Sequence, residues 1–434
     1  MEKKKSAFKI VDYTEKYKSI MQFNKNKSVP IHQWYPFVEG YSKEFIQSIL
    51  DELDYTPDFV LEPFAGSGTT PVELQDQNIR CTSFEVSPFM YLLSTVKMRR
   101  DYTLLEFINY SDRIKELLEL PPINIREIEQ IPFGKTLIKT DKLTKWNYND
   151  SSIDGILDIK YAINRIPDCK YQDLFKIALA SILLQVSNVF RNGKCLSYKR
   201  KWQDIIKYTR EEVHQIFIEK LDTIFFNDIS NIDMSSNQIV SNHNLCYYGD
   251  VREKINIIKD NSIDLIITSP PYLNSRDYTD IYMLELKMLG LVSSYKELQD
   301  LRKKTLRSHV QVKHGRLDTL KIPLLEDCIT SIEKNKDFFW NSDLLNMIKG
   351  YFIDIDFLFS EFKKKMQPNK YIYFNVANSA YYGVEIIVDE IVCQIAEKRG
   401  FKIVEIRKAR DLNASSQQSE TIKSLRESVI VIRS

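Results

Sequence analysis

Two periods alternate along the chain. Short apolar runs bounded by turn residues recur at Phe59–Glu62, Ile79–Glu85, Leu245–Tyr248, Ile263–Thr268, Tyr371–Val376, Phe401–Arg407 and Glu427–Ile432. Runs such as Ile263, Leu265, Ile266 and Ile267 are too short for a helix and suit parallel strands covered on both faces, where continuous apolar stretches replace alternation. Between them, apolar residues fall at helical spacing. Ser42 stands as N-cap before Phe45, Ile46, Ile49, Leu50 and Leu53, and further helices are predicted near Ser87–Arg100, Tyr171–Ser187, Val251–Lys259, Asp280–Leu289, Asp354–Met366 and Val384–Lys398. The alternation predicts an α/β chain built on a doubly wound sheet of seven strands.

The pattern breaks twice. Between Asp101 and Asn244 there are helical stretches but no strand where the third is due, and that length far exceeds a normal connection, so an inserted module is expected. A smaller insertion is expected near residues 290–345. The chain therefore divides into a first part of the main domain at 28–100, an insertion at 101–244, and a second part at 245–434 that carries the smaller insertion. A chain of 434 residues exceeds what one core usually supports, which agrees with this division.

Candidate chemistry collects where strands end. Thr268-Ser269-Pro270-Pro271-Tyr272 stops a buried strand in a stiff turn: the prolines cannot continue a ladder, and they hold Ser269 and its neighbouring carbonyls still. A rigid acceptor beside the Tyr272 ring suits a planar ring bearing an amine. Phe64-Ala65-Gly66-Ser67-Gly68 links a strand to a helix start, where Gly66 and Gly68 let backbone N–H groups approach a ligand. It lacks the third glycine of the dinucleotide fingerprint and the Gly-Lys-Ser/Thr of a Walker A loop. Glu85, at the end of the next strand, could accept both hydroxyls of a ribose. Asp250 can cap a helix and accept from an adenine amino group at once. The aromatic stretch Trp34-Tyr35-Pro36-Phe37 reads either as a pocket wall or as a plug on the sheet.

Composition narrows the partners. With 43% hydrophobic and 28% charged residues and a net charge of +2, overall charge does not announce nucleic acid, so any such contact must be local. The local excess is in the large insertion: Arg191, Lys194, Lys199, Arg200 and Lys201, with Lys207 and Arg210 beyond, interleaved with Phe190, Tyr198, Trp202 and Tyr208. This mixture suits a phosphate backbone and exposed bases, although a solvated face reads the same way. Arg276, in the loop after Tyr272, and Arg307, in the second insertion, extend the possible contact surface. Six scattered cysteines without a Cys-x-x-Cys pair argue against zinc or a disulfide framework. No run reaches the ~18 apolar residues of a membrane span, so a cytoplasmic chain without metal or membrane partner is expected.

With these motifs in hand, the chain resembles the DNA amino-methyltransferases. Phe64-Ala65-Gly66-Ser67-Gly68 matches their Phe-x-Gly-x-Gly cofactor loop, and Thr268-Ser269-Pro270-Pro271-Tyr272 is similar to the catalytic motif of the cytosine-N4 branch. The resemblance implies a Rossmann-like methyltransferase sheet, S-adenosylmethionine as methyl donor and double-stranded DNA as substrate, with a partner restriction endonuclease possible. It implies that Phe64, Gly66 and Gly68 pack on the methionine part of the cofactor, that Glu85 binds the ribose, and that Asp250 binds the adenine amine. Glu62, standing where the family commonly has Asp, would be a further cofactor contact. Ser269 and the Pro270 carbonyl would accept from the target amine, with Pro271 stiffening the turn and Tyr272 stacking on the extruded base. Ser at 269 in place of Asp favours cytosine N4 over adenine N6. Methylation of glutamine or ribosomal RNA, and a DNA-binding module without chemistry, are the competing readings.

Overall fold

The computed structural model describes residues 6–37, 39–129, 133, 136–192, 195–205, 207–235, 244–274, 277–313, 315–413 and 422–434. Lys194 and Arg276 lie outside the described residues. All seven expected strands form and share one sheet, which is extended to eight by Ile10–Asp12. That three-residue strand runs parallel to Ile406–Lys408 and carries no apolar pattern by which a sequence reading could find it.

Across the sheet the order is Ile10–Asp12, Lys402–Asn413, Ser424–Arg433, Met366–Ala377, Ile263–Thr268, Phe59–Glu62, Arg80–Glu85, Leu245–Tyr248. Of these, only Ser424–Arg433 runs antiparallel to its neighbours. Both faces are buried. Leu265, Ile267, Tyr373, Val429 and Val431 point to one apolar cluster, with Phe45, Ile46 and Ile49 of the helix Lys43–Leu50. Ile266, Ile372, Phe374, Ile430 and Ile432 point to the other, with the helices Leu344–Lys365 and Val388–Lys398. This two-sided burial is why the strands read as apolar runs.

Phe59–Glu62 and Ile263–Thr268 lie side by side in the middle, paired Val60 with Leu265 and Leu61 with Ile266. From these two the chain winds outward in opposite directions, so a crevice opens beyond their carboxyl ends.

The first insertion is helical: Leu104–Glu119, Asp150–Ile163, Cys169–Leu183 and Arg210–Lys220, the last running on through Phe226–Ser235. It docks on the segment before the glycine loop, where Trp34 stacks on Phe225 at 5.3 Å and Asp228 accepts the Ile31 N–H at 2.7 Å. The chain re-enters the sheet at buried Asn244, whose side chain accepts from Cys81 N–H and donates to the Pro71 carbonyl, 2.7 Å each.

Several helix limits differ from expectation: Val251–Lys259 is α-helical only to Lys254, Asp280–Leu289 is broken at Tyr282 into two helices, Tyr171–Ser187 ends at Leu183, and two helices start elsewhere. The helix expected from Asp354 begins at Leu344. The one expected from Val384 begins at Val388, because Ser379–Tyr381 and Val384–Ile386 form a hairpin with Tyr382 and Gly383 both at positive φ, 51° and 75°. Among the described residues no helix is long and apolar enough to cross a membrane.

Candidate active site at the carboxyl edge of the sheet

One cavity of about 430 Å³ occupies the crevice. Its wall contains both sequence motifs: Phe64, Gly66 and Glu85 from the glycine-loop side, and Ser269 to Tyr272 from the turn, with Asp250 at the end of the neighbouring strand. Phe37 and Tyr282, stacked at 5.9 Å with their planes 16° apart, belong to the same wall. Of the two readings of the aromatic stretch, Phe37 is therefore pocket wall, while Trp34 and Tyr35 are fully buried core.

On the glycine-loop side, Gly66 adopts φ +53° and donates its N–H to Glu85 at 2.8 Å. The other Glu85 oxygen accepts from Ser87 N–H at 2.7 Å. Burial nevertheless outweighs these bonds and lifts the Glu85 carboxyl to about 7. Ser67, 2% exposed, lines the cavity with its hydroxyl unpartnered among the described residues.

Two members of the expected cofactor set sit elsewhere. Glu62 lies under the loop, outside the cavity wall: it accepts from Tyr41 at 2.6 Å, Thr70 at 3.0 Å and Phe64 N–H at 3.1 Å, so it braces both ends of the loop. Burial raises it, too, to about 7. Gly68, at φ +81°, is outside the wall as well; a Cβ there would come within 2.9 Å of Ser94 Cβ, so glycine allows close packing of loop on helix.

Asp250 does cap its helix, accepting Arg252 N–H at 2.9 Å, and is also paired with the Arg252 guanidinium at 2.6 Å. Arg252 reaches on to Asp354 at 2.7 Å and to the carbonyls of Lys304 and Thr305 at 3.2 and 3.1 Å. The second insertion is thus stitched against the acid side of the cavity.

Opposite stands the turn. Thr268 ends its strand fully buried, Leu273 is fully buried beyond the turn, and Asn274 N–H closes back on the Tyr272 carbonyl at 2.7 Å. Tyr272 donates its hydroxyl to Glu427 at 2.5 Å, and Asn375 donates to Tyr272 Oη at 2.7 Å and to Ser269 Oγ at 3.2 Å. Burial holds the Tyr272 phenol well above its ordinary range, reinforced by the Glu427 charge. Asn375 and Glu427 stand in expected strands and are not among the expected site residues. The available signal was a polar residue in the otherwise apolar strand ends Phe374-Asn375-Val376 and Glu427-Ser428-Val429.

The expected cations divide. Arg191 is turned inward, 6% exposed, bonded to Glu285 and to Tyr35 Oη at 2.5 Å each and to the Ile281 carbonyl at 3.2 Å. Lys199 spends its ammonium on the carbonyls of Ser187 and Gln185, at 2.6 and 3.1 Å. Arg307 is paired with Asp354 at 2.6 Å. Each of the three is engaged by groups of the fold, the Arg191 side chain buried and Lys199 and Arg307 half-buried.

Arg200 and Lys201 are exposed. Behind them Trp202 packs edge-on to Trp146 at 4.7 Å and beside Tyr198 at 5.3 Å. Over those rings lie exposed Lys139 and Lys145, with 5.3 and 5.6 Å to the centroids, brought in from a segment far earlier in the chain. Among the described residues no group of three or more His, Cys, Asp or Glu could hold a metal ion.

No family model matches the chain. It is 26% identical over 458 residues to the type II methyltransferase M.BsoBI of Geobacillus stearothermophilus, covering 95% of this chain and 87% of that protein. It is 26% identical over 415 residues to the type II methyltransferase M.AvaI of Nostoc sp., covering 90% and 83%. With the type II methyltransferase M.MvaI of Kocuria varians the identity is 22%, over 90% and 86% of the two chains. A solved rRNA methyltransferase, aviRa of Streptomyces viridochromogenes, aligns over 93% of this chain and 84% of its own with 9% identity and a TM-score of 0.26. The fold assignment rests on the strand order and not on that alignment.

Proposed function

We propose that this protein is a site-specific DNA methyltransferase of a restriction–modification system, transferring a methyl group to the exocyclic N4 of a cytosine extruded from double-stranded DNA. The observation that carries the reading is the one cavity in which a glycine loop and acid pair face a Ser-Pro-Pro-Tyr turn. Type II methyltransferases similar over most of the chain support it. A cognate endonuclease is the protein partner this role implies.

S-adenosylmethionine is the proposed donor, and when bound it supplies an electrophilic methyl on a sulfonium. The residues present fit such a group. The unpartnered Ser67 hydroxyl offers a hydrogen bond, Gly66 lets backbone approach, and Glu85 at the neighbouring strand end has acceptor capacity left for ribose hydroxyls. Phe64 and the Phe37–Tyr282 pair give apolar walls. Asp250, already neutralised by Arg252 and accepting three of its hydrogens, keeps about one acceptor position for an amine.

The amine nitrogen of cytosine is a poor nucleophile because its lone pair is delocalised into the ring. Ser269 Oγ and the Pro270 carbonyl, fixed by Pro271 and the tight turn, accept its hydrogens and orient it. Ser269 is too weak a base to remove a proton beforehand, so positioning dominates and the proton leaves during or after transfer. Extrusion costs a few kcal/mol, offset by stacking on Tyr272 and by backbone contacts. For those contacts we assign the exposed group Arg200, Lys201, Lys139 and Lys145, framed by Trp146, Tyr198 and Trp202.

The test is mass spectrometry of nucleosides from mixed-sequence DNA incubated with the protein and S-adenosylmethionine. N4-methylcytosine is expected, and Ser269→Ala and Tyr272→Ala should each lose most of the rate, by about 100-fold. N6-methyladenine would overturn the base assignment while keeping the site. No methylated base, with the donor still bound, would overturn the DNA reading.

A further inference from the structure

A chain of four side chains backs the Ser-Pro-Pro-Tyr turn, and its hydrogen-bond polarity can be worked out from one end. Glu427 is 1% exposed and paired with Arg410, the residue opposite it in the antiparallel ladder. As the partner of a guanidinium it acts as an acceptor, so the Tyr272 hydroxyl hydrogen, 2.5 Å away oxygen to oxygen, is committed to it. Tyr272 Oη must then accept from its other neighbours, the Ser269 hydroxyl among them. Another is the Asn375 amide nitrogen at 2.7 Å, which also contacts Ser269 Oγ at 3.2 Å and Glu427 at 3.5 Å. The amide nitrogen thus reaches both groups that would meet the target ring, the contact to Glu427 being the longest of the three. Asn375 is 3% exposed, and its carbonyl oxygen has no partner among the described residues.

Ser269 and Tyr272 are separated by two prolines whose φ angles are fixed, and one amide contacts both of their side-chain oxygens, which also meet each other directly. The amide stands on Met366–Ala377, Glu427 on Ser424–Arg433 and Arg410 on Lys402–Asn413. Three strands of the sheet therefore set the relation between an acceptor and an aromatic face.

We propose that Asn375 and Glu427 are positioning residues: they hold Ser269 Oγ and the Tyr272 ring in one fixed arrangement that admits a planar, amine-bearing ring before it arrives. Glu427 sets the polarity, and Asn375 transmits it to both contacts. This rests on the DNA methylation reading given above. The site is pre-formed on the sheet, so the entering ring orders little and the amine arrives oriented.

The experiment combines kinetics with a fluorescent base. Asn375→Leu should lower kcat by about 10–100-fold while changing KM for DNA and the affinity for S-adenosylmethionine by less than about threefold. In a Tyr272→Phe, Ser269→Ala background the same change should add almost nothing, because its two partners are gone. Glu427→Gln keeps an acceptor and should retain more rate than Glu427→Ala. Without cofactor, DNA with 2-aminopurine at the target should be quenched by stacking when wild type binds, and bright with Asn375→Leu. Thermal melting and cofactor titration identify variants that fail to fold, and for these Tyr272→Phe, which keeps the ring volume, is read instead and should also lose rate and quenching. Wild-type kcat in Asn375→Leu, or full additivity in the double background, overturns the proposal while leaving DNA methylation intact. A wild-type enzyme that methylates no base overturns both.

Discussion

Glu85 and Glu62 differ by one strand, and only one faces the cavity, although a sequence reading treats them alike. Both carboxyls are lifted by burial to about 7 from an ordinary value of 4.5. Between those two pH values each carboxyl holds its proton in the folded protein and not in the unfolded chain, so the stability these two groups contribute falls as pH rises from about 4.5 to about 7 and changes no further above it. Glu85→Gln should flatten this slope, leaving the share that belongs to Glu62; denaturant titrations from pH 5 to pH 8 measure it. Because only the ionised Glu85 can accept both ribose hydroxyls, affinity for S-adenosylmethionine should rise through about pH 7 in the wild type. Calorimetric titration should find that rise lost in Glu85→Gln.

Among the elements, the hairpin Val189–Arg191 with Leu196–Tyr198 depends most on context. In sequence Arg191 is the first cation of a basic tract; in the fold it crosses to the helix Met283–Met288 and neutralises Glu285, which is 1% exposed. Arg191→Met should leave that carboxylate buried and unpaired, lowering stability by roughly 3–5 kcal/mol in denaturant unfolding. Salt dependence of DNA binding should stay unchanged. Ile31 marks a second such place. With φ 68° and the His32 N–H bonded to the Pro30 carbonyl at 2.7 Å, it forms a γ-turn of the strained hand. The turn is held where its N–H meets Asp228 of the insertion. Nothing in residues 28–37 alone announces that strain, because the partner lies in a distant helix.

At the scale of the molecule, the first insertion carries an exposed cationic surface beside the hairpin that Arg191 anchors to the cavity wall through Tyr35 and Tyr282. Neutralising backbone phosphates there releases counterions, so the number of phosphates engaged is legible in salt dependence. Replacing Lys139, Lys145, Arg200 and Lys201 by Ala should flatten the plot of log affinity for DNA against log salt by roughly 0.9 for each phosphate no longer neutralised. The melting temperature should hardly move, since exposed cations contribute little to stability. A variant with the wild-type slope would send the search for the DNA surface elsewhere.

The sequence by itself determined the seven main strands, the helical stretches between residues 101 and 244, and both motifs that meet in the cavity. Those features are local: apolar run length, glycine and proline geometry, and the residue that ends each strand. Only the tertiary structure decided which polar groups face the cavity. Glu62 and Gly68 read as ligand contacts yet brace and pack the loop, while Asn375 and Glu427 read as ordinary strand residues yet back the Ser-Pro-Pro-Tyr turn. The fates of Arg191, Lys199 and Arg307 were likewise set by carboxylates and carbonyls, most of them far along the chain. Burial and pairing are properties of packed neighbours, and Glu427 reaches the carboxyl edge because its strand runs antiparallel to the rest.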